Sequence, residues 1–391
     1  MKWSIESIAA VNSAIDFAIA MVVLFAGRSS PVPTLDAVKA SAPPVVGFSR
    51  LVIAVVIVAA AFAGKLLIAR LLGVGLFGTV YLAYLNLVVV LPAIGLAILI
   101  ARRSRPDRAP RRRVSHSVSV AAVAFMLPAP IGFHATFIEP FRLKLETATH
   151  ALPDARAGKT PIRIGVLADI QTREVTDYER GAIGRLMAEK PDLILIPGDI
   201  FQGSYDDFDA VLPGFREIFA RLHAPAGIYC VLGDVDSPNR LRQMFEGTPI
   251  RLLINETVKI QFADRQITLG GTQLHWHLPY VEALVHDMET APGLDDVRIL
   301  FAHRPDVVTR LKPDSRIDLV VAGHTHGGQV VMPFFGPPIT LTTVPRRVAA
   351  GGLHNLNSNA IYVSRGVGCE RNQAPRIRLF CPPEVSIVTL E

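Results

Sequence analysis

One stretch of the sequence decides the fold: Gly323-His324-Thr325-His326-Gly327-Gly328-Gln329, which directly follows the apolar run Ile317–Ala322. A short apolar run bounded by glycine is typical of a buried strand. Glycine lets the backbone turn sharply after such a strand, so that nearby side chains can approach a common centre. The stretch therefore predicts a strand that ends in two histidines able to contribute to one site.

Asp or His also follows apolar runs elsewhere in the second half of the chain. These places are Ala168-Asp169-Ile170-Gln171, Gly198-Asp199, Gly233-Asp234-Val235-Asp236 and Ala302-His303-Arg304-Pro305-Asp306. One such Asp alone is more often a turn former or a helix cap. In an α/β sheet, however, the carboxyl ends of strands converge on one crevice, where several carboxylates and imidazoles would stay unpaired unless a cation gathered them. The joint pattern predicts a divalent-metal site.

Short apolar runs alternate with longer amphipathic ones through this half of the chain, which indicates an α/β fold. The predicted strands are Ile162–Ala168, Asp192–Pro197, Gly227–Leu232, Gln266–Gly270, Val297–Ala302, Ile317–Ala322, Ala360–Ser364 and Glu384–Leu390. Helices are predicted at Tyr178–Lys190 and Phe208–Leu222. Pro213 lies within the second helix and predicts a kink or a late start.

The first 140 or so residues have a different composition, with long apolar runs and few acidic residues. The four apolar segments are Ile8–Gly27, Leu51–Gly73, Phe77–Ile100 and Val118–Ile138. Each is close to the ~20 residues that cross the hydrocarbon core of a bilayer, so a multi-pass membrane region is predicted. Lys65 and Arg70 weaken the second segment, because each must snorkel, face protein or mark an earlier helix end. A signal peptide is the less favoured reading of the first, since Glu6 and Asp16 interrupt it.

The formal net charge of +6 is concentrated in one loop between the third and fourth apolar segments. That loop contains Arg102, Arg103, Arg105, Arg108, Arg111, Arg112 and Arg113. Short loops rich in arginine stay in the cytoplasm, so the cluster indicates membrane topology, and no nucleic-acid partner is expected. The fourth segment then exits, which predicts a cell-membrane protein with an extracytoplasmic C-terminal domain.

Three cysteines, at 230, 369 and 381, are too few and too scattered for a disulfide framework or a cysteine-ligated zinc site. Cys230 ends an apolar run and is expected in the core. A bridge between Cys369 and Cys381 stays open.

The motifs after these strands, in this order, resemble those of the calcineurin-like metallophosphoesterase family, in its membrane-anchored bacterial branch. The resemblance covers about Ile162–Leu390, and its most specific part is the Gly323–Gln329 stretch. It implies a four-layer αββα sandwich, here preceded by a bundle of about four transmembrane helices. The expected organisation is a membrane region at 1–140, a linker at 141–160 and the metallophosphoesterase domain at 161–391.

The resemblance also implies two divalent metal ions, with manganese, iron and zinc all compatible with mixed oxygen and nitrogen ligands. Asp199 resembles the carboxylate that bridges the ions and is a predicted catalytic residue. Asp169 and His326 look like ligands of the first ion, and His303 and His324 like ligands of the second. His303 and Arg304 are further predicted catalytic residues, with Arg304 as a clamp for a substrate phosphate, unless it pairs with Asp306 or a helix end.

Three residues depart from the family motifs. Gln171 stands where the family has histidine, and Asp234 where it has asparagine; both are still expected to bind metal through oxygen. Val235 replaces a histidine that resembles a proton donor to the departing oxygen, and general-acid help of this kind contributes ~10²–10⁴-fold in rate. His275 and His277 are candidate substitutes, or they are ordinary loop histidines.

The sequence therefore predicts a membrane-anchored, metal-dependent phosphoesterase that hydrolyses phosphomonoester, phosphodiester or pyrophosphate bonds in lipid or envelope metabolism. Its expected partners are the membrane and a phosphorylated small-molecule or lipid substrate. The alternative is a catalytically impaired pseudoenzyme that acts as a membrane sensor or scaffold. A transporter is disfavoured, because the apolar half has neither a buried polar constellation nor a repeated architecture.

Overall fold

The structure is a computed structural model that describes residues 60–103, 116–204, 206–293, 295–370 and 374–391. The first predicted apolar segment, Ile8–Gly27, and the beginning of the second lie outside the described residues. The chain divides into an N-terminal unit that ends at His134 and a C-terminal unit that begins at Ala135, with Ala374 and Pro375 grouped with the former.

The described part of the N-terminal unit consists of helices joined by short turns. Residues 60–71 are helical, and the further helices are α1 Leu76–Leu85, α2 Leu91–Arg103, α3 His116–Met126 and α4 Pro128–Phe133. A π-helical turn at Asn86–Val90 joins α1 to α2. Lys65, a predicted obstacle to a membrane span, places Nζ 3.5 Å from Oδ1 of the buried Asn86, so it faces protein.

Two helices of the described chain are long and apolar enough to cross a membrane. They cover Leu76–Ile100 and Ser119–Phe141, with 11% and 17% of their apolar windows buried. Such low burial distinguishes them from the core helices of a soluble protein. They coincide with the third and fourth predicted segments, whereas the bundle of about four helices is not supported by the described residues.

The C-terminal unit contains two six-stranded sheets. The first has the order β1-β12-β2-β3-β4-β5 and the second the order β10-β11-β9-β8-β7-β6. The strands are β1 Lys144–His150, β2 Ile162–Val166, β3 Leu193–Ile196, β4 Ile228–Cys230, β5 Ile250–Leu252, β6 Glu256–Phe262, β7 Arg265–Gly271, β8 Val297–Phe301, β9 Leu319–Ala322, β10 Gly352–Leu356, β11 Asn359–Val363 and β12 Glu384–Leu390. Strands β2 to β5 run parallel, as do β7, β8, β9 and β11.

The prediction of a linker at 141–160 needs correction, because this range contains strand β1. Lys144–His150 pairs in parallel with Glu384–Leu390, so these residues belong to the first sheet. A short helix, α5 Asp154–Ala157, follows β1. Strand β1 has only exposed and half-buried residues, and it carries Lys144 and Glu146, so it lacks the apolar run by which the eight predicted strands were recognised.

Helices cover the outer face of each sheet. They are α6 Asp177–Ala188, α7 Phe208–Phe219 and α8 Pro238–Phe245 at the first sheet, and α9 Pro279–Thr290 and α10 Arg346–Ala349 at the second. Helix α6 begins with a capping box between Thr176 and Glu179. Helix α7 runs from Phe208 through Pro213 without a late start.

Three apolar clusters hold these layers together. The side chains of β3 alternate, with Ile194 and Ile196 facing α6 and α7, and Leu193 and Leu195 facing the second sheet. The middle cluster lies between the two sheets, and the third lies between the second sheet and α9. The central parallel strands are therefore buried on both faces, which fixes the positions of their carboxyl ends.

Candidate metal centre

Five of the predicted site residues follow the central strands of the two sheets. Asp169, Asp199 and Asp234 come after β2, β3 and β4, and His303 and His324 come after β8 and β9. The structure brings these ends together across the two sheets. A hydrogen bond of 2.8 Å joins Nδ1 of His303 to the carbonyl of Pro197 at the end of β3.

Donor atoms in this region form two groups, and the atoms of each group all lie within 4.8 Å of one another. One contains Asp234, His303 and His324, and the other contains Asp169, Asp199 and His303. Nε2 of His303 lies 3.5 Å from Oδ2 of Asp199 and 3.4 Å from Oδ2 of Asp234. His303 is therefore shared by both groups, which places the two groups next to each other.

The ring orientation of His303 is set by its other nitrogen. Because Nδ1 faces the carbonyl of Pro197 at 2.8 Å, Nε2 is directed towards the carboxylates. A hydrogen bond from the second ring nitrogen to a carbonyl is the usual way in which a protein orients a metal-binding histidine. The side chain is fully buried, so water cannot replace the carbonyl of Pro197 as the partner of Nδ1.

The backbone is left-handed at most of these positions. The φ angles are +48° at Asp169, +42° at Gln171, +55° at Asp199, +70° at His324 and +48° at His326. Residues other than glycine rarely adopt this region, because it costs energy, and they keep it only where the surrounding structure enforces it. Their concentration after three different strands indicates that the backbone is held here to aim side chains.

Two glycines make this convergence possible. A Cβ at Gly323 would come within 2.5 Å of Oδ2 of Asp169, and a Cβ at Gly233 would collide with Oδ1 and the backbone nitrogen of Asp199. In the space that Gly323 leaves, both carboxylate oxygens of Asp169 accept from the backbone N–H of His324, at 3.0 and 3.1 Å. A larger residue at either position would push a carboxylate out of the site.

Burial gives the carboxyl groups unusual proton affinities. It raises the pKa of Asp199 to about 8, with His303 opposing the rise and Asp236 adding to it. Burial likewise raises the pKa of Asp169 to about 6. Burial opposes protonation of His303, but the surrounding Asp199, Asp234 and Asp169 raise its pKa to about 10. Buried carboxyl groups of this kind ionise more readily beside a cation, which favours a bound metal ion.

His326 supplies an independent test of whether a metal fits. Its side chain is buried, and neither ring nitrogen has a hydrogen-bond partner among the described residues. Burial holds the pKa of His326 well below the ordinary value, with Arg378 acting in the same direction and the Gly368 backbone in the opposite one. A neutral, buried imidazole with open nitrogens is suited to metal binding, although His326 lies outside the two donor groups described above.

Gln171 is fully buried, and its amide is oriented by a residue that the sequence did not reveal. Nε2 of Gln171 donates to Oε2 of Glu370 at 3.3 Å, and Nε2 of Gln202 donates to Oε1 of Glu370 at 3.0 Å. An ionised carboxylate only accepts hydrogen bonds, so it fixes which end of the Gln171 amide is nitrogen. The oxygen, the end suited to a metal, is turned away from Glu370.

Asp236 and Arg378 are two further residues whose roles were missed. Asp236 accepts from the backbone N–H groups of Asp199, Ile200 and Gly233, at 2.7, 3.0 and 2.9 Å, and so fixes the loop that presents Asp199. The place of Asp236 in the Gly-Asp-Val-Asp motif was the available signal. The fully buried Arg378 donates to five backbone carbonyls, including that of His326. Its sequence neighbours gave no signal.

The remaining predicted groups are also placed by the structure. Nη2 of Arg304 donates to Oδ1 of Asp234 at 2.7 Å, so Arg304 pairs with neither Asp306 nor a helix end. Asp306 instead accepts from Thr342 and Thr343. The side chain of Val235 has no polar atom, while its backbone nitrogen donates to Oδ1 of Asp199 at 2.9 Å.

The two candidate substitutes for a proton donor lie outside both donor groups. His275 and His277 are exposed, with ring centroids 6.0 Å apart. Trp276 between them lies under Arg310 and packs against the third apolar cluster. The described contacts therefore give these histidines no place at the centre. All three cysteines are buried and free, so the open bridge between Cys369 and Cys381 is absent from the described structure.

Comparison with known protein families agrees with this geometry. Residues 162–328 match the model of the calcineurin-like phosphoesterase family, a range that runs from β2 to the histidine pair after β9. The chain belongs to this family, and it is a hydrolase.

Among its relatives is the phosphodiesterase YaeI of Escherichia coli K12, which is 30% identical over 63% of this chain and 88% of its own length. The uncharacterised metallophosphoesterase YkuE of Bacillus subtilis is 28% identical over 72% of this chain and 97% of its own. The UDP-2,3-diacylglucosamine pyrophosphatase LpxG of Chlamydia muridarum is 25% identical over 70% of this chain and 97% of its own. The family uses two divalent metal ions, and the Asp and His groups described above fit such a pair.

Proposed function

We propose that this chain is a membrane-anchored phosphoesterase that cleaves a phosphodiester or pyrophosphate bond in a lipid-bearing substrate. The observation that carries the proposal is the convergence of Asp169, Asp199, Asp234, His303 and His324 on one point at the carboxyl ends of both sheets. The relatives support the two bond types, since one is named a phosphodiesterase and another a pyrophosphatase of a diacylated sugar nucleotide.

In this proposal Asp199, which shares one donor group with Asp169 and His303, would hold both metal ions. Asp169, Gln171 and His326 would hold the first ion, and Asp234, His303 and His324 the second. Bound divalent ions supply Lewis-acid polarisation of the phosphoryl group and neutralise charge on its oxygens. The chain's own contribution is to fix these donors through strained backbone and buried hydrogen bonds before substrate arrives.

Arg304 acts on the substrate side of the centre. Its side chain is 34% exposed while it holds Oδ1 of Asp234, so part of the guanidinium stays accessible to an incoming anion. Since Asp234 places a carboxylate where the resembling motif has an amide, Arg304 offsets the added negative charge. The pair then lets a phosphate anion approach a site that would otherwise repel it.

Val235 indicates which bonds the site can cleave. With an apolar side chain at the position of the resembling proton donor, the departing oxygen receives no help from residue 235. A leaving group that is stable as an anion, such as the phosphate of a pyrophosphate, needs such help least. This argument favours a pyrophosphate or an activated diester over an alkyl monoester.

Membrane anchoring rests on the two apolar helices, Leu76–Ile100 and Ser119–Phe141. The second ends three residues before β1 begins at Lys144. Such a short connection keeps the C-terminal unit close to the end of that helix. The arginine cluster between the helices favours a cytoplasmic loop there and an extracytoplasmic metal centre.

Metal content and turnover of the full-length chain in detergent test the proposed reaction. The full chain is needed, because a fragment that begins after the expected linker would lack β1. About two metal ions per chain with metal-dependent hydrolysis of a bis-aryl phosphodiester are expected. Normal folding with neither bound metal nor turnover would instead favour the sensor or scaffold alternative.

Topology has its own test. A cysteine introduced at exposed Lys259 should react with a membrane-impermeant thiol reagent in intact cells, because the native cysteines are buried. Reaction only after lysis would place the metal centre in the cytoplasm.

A further inference from the structure

An exposed aromatic hairpin follows the histidine motif. The backbones of Met332 and Gly336 pair in an antiparallel bridge, and the turn between them carries Phe334 and Phe335. These two side chains are fully exposed and 58% exposed, respectively. The hairpin, defined here as Met332–Gly336, presents its aromatic rings to the surroundings.

The exposed large apolar side chains of the described C-terminal unit lie in only three segments. They are Phe137–Phe141, Met332–Leu341 and Phe380. Elsewhere in the described part of this unit, large apolar side chains are buried or half-buried. Such segregation is not expected of a surface that faces water on all sides, where single apolar residues are scattered.

Hydrogen bonds connect the three segments to one another. The backbone N–H of Val331 donates to the carbonyl of Leu379 at 2.9 Å, which places the hairpin strand beside Phe380. The backbone N–H of Arg378 donates to the carbonyl of Ala135 at 2.9 Å, and that of Cys381 to Oε1 of Glu139 at 2.8 Å. The hairpin is thus connected, through residues 378–381, to the last turns of the second apolar helix.

Two arginines lie close to the hairpin. The guanidinium carbon of Arg346 lies 4.5 Å from the centroid of the Phe335 ring, and Arg347 is exposed beside it. No acidic residue occurs between Val330 and Ala350. Aromatic rings bordered by arginines suit the boundary between lipid headgroups and acyl chains, where the rings enter the apolar layer and the guanidinium groups meet phosphates.

The same segment reaches the metal centre. Nε2 of His324 lies 3.2 Å from the carbonyl of Leu341, an exposed residue at the far end of the apolar segment. The apolar segment that begins with the hairpin therefore ends next to the second proposed metal position. That arrangement brings together a hydrophobic contact and a phosphate-cleaving site.

We infer that the hairpin, with Phe380 and the two arginines, inserts into the surface of a bilayer that contains anionic phospholipids. The inference rests on the proposed membrane anchoring and deepens it. The apolar helix fixes the chain in the bilayer, and the hairpin fixes the orientation of the metal centre against it. A substrate whose acyl chains stay in the membrane then presents its phosphate groups at the level of His324.

Lipid contact can be measured at the hairpin itself. The full-length chain with Phe334→Cys carries an environment-sensitive fluorophore and is reconstituted into vesicles of phosphatidylethanolamine and phosphatidylglycerol. The native cysteines are buried, so labelling is directed to position 334. Nitroxide-labelled lipid should quench this probe at least about threefold more than the same probe at Lys259→Cys on β6, an edge strand of the second sheet. Equal quenching at the two positions overturns the inference.

Activity separates the hairpin from the metal centre. The double variant Phe334→Ser with Phe335→Ser should lose about tenfold in turnover of a pyrophosphate-linked lipid in vesicles. Turnover of a soluble bis-aryl phosphodiester should stay within twofold, as it should for both substrates in a Lys259→Ser control. An equal loss on both substrates would mean that the hairpin shapes the metal site instead, which also overturns the inference.

The proposed function can fail separately from this inference. If the unaltered chain hydrolyses neither substrate, the phosphoesterase proposal is rejected. The quenching measurement still reports on the hairpin in that case. If alkaline carbonate extracts the unaltered chain from membranes, the proposed anchoring is rejected, and the inference about the hairpin is rejected with it. Preferential quenching at position 334 with normal turnover supports both.

Discussion

Arg304 and Asp234 form an ion pair at the mouth of the metal centre, with Nη2 of the arginine 2.7 Å from Oδ1 of the aspartate. Oδ2 of the same carboxylate lies 2.8 Å from Nδ1 of His324. One side chain thus connects an accessible cation to a proposed metal ligand. Burial acts to raise the pKa of Asp234, yet hydrogen bonds from His303 and His324 hold it well below its ordinary range. Asp234 is therefore ionised whenever a substrate could arrive.

Arg304→Ala should raise KM for an anionic phosphodiester about tenfold and leave metal content unchanged, because it exposes the charge of Asp234 to the substrate. Steady-state kinetics and metal analysis of the same preparation check this. Arg304→Lys is the matched control and should recover part of the loss, since it restores charge without the planar donor geometry. Loss of metal in Arg304→Ala would instead assign Arg304 to holding Asp234 in place.

Asp199→Asn should reduce bound metal to at most one ion per chain and lower turnover by at least about 100-fold, with little change in thermal stability. The amide keeps the shape of the side chain but cannot bridge two cations as a carboxylate does. Metal analysis, kinetics and thermal unfolding measure the three effects. A variant that unfolds at much lower temperature while keeping its metal would contradict the bridging role.

Asp236→Asn serves as the matched comparison in the same loop. Because three backbone N–H groups point at the Asp236 carboxylate, an amide there should cost about 1–3 kcal/mol in the free energy of unfolding. Denaturant titration of the metal-loaded chain measures that cost. The two variants should therefore separate metal binding from loop stability.

Glu370→Ala should weaken binding of one of the two metal ions about 10- to 100-fold, the range typical when a residue that orients a ligand is lost. The reason is that the Gln171 amide loses the acceptor that fixes its orientation. Titration with manganese, followed by calorimetry, detects the change at one site only. Gln202→Ala removes the other contact of Glu370 and should have a smaller effect; equal losses would show that the cluster acts as a whole.

Val235→His should raise turnover of substrates with poor leaving groups by about 10²-fold or more, and that of aryl esters much less. Only the side chain changes at this position, so the hydrogen bond from the Val235 backbone to Asp199 is kept. A series of esters with graded leaving-group pKa values measures the slope. Val235→Ala is the control, and an equal gain across the series would argue against a missing proton donor.

The strands that position the site were predictable, because they are continuous apolar runs that end in Asp or His. Strands β2, β3, β8 and β12 were predicted close to their observed bounds. Strands β1, β5, β6 and β10 were not predicted. Of these, β1 and β6 are half-exposed and carry polar residues among the apolar ones. A strand of that kind is specified by its partner in the sheet, and pairing is not a local property of sequence.

The same distinction applies to the site. The residues after the strands were found because each lies within a short motif, whereas Glu370 lies 199 residues from Gln171 and is brought to it only by the fold. Arg304 was identified, but its partner was not, because Asp234 follows a strand of the other sheet. The metal roles assigned to Asp169, Gln171, Asp199, Asp234, His303, His324 and His326 remain predictions that the variants above test.

The position of β12 constrains the order in which the C-terminal unit folds. This strand lies between β1 and β2 and pairs with both. As the ribosome delivers the chain, β1 emerges early and has no neighbour until β12 has been synthesised and, in the proposed topology, carried across the membrane. The first sheet therefore closes late, and until then the unpaired edges of β1 and β2 are open to pairing with other chains.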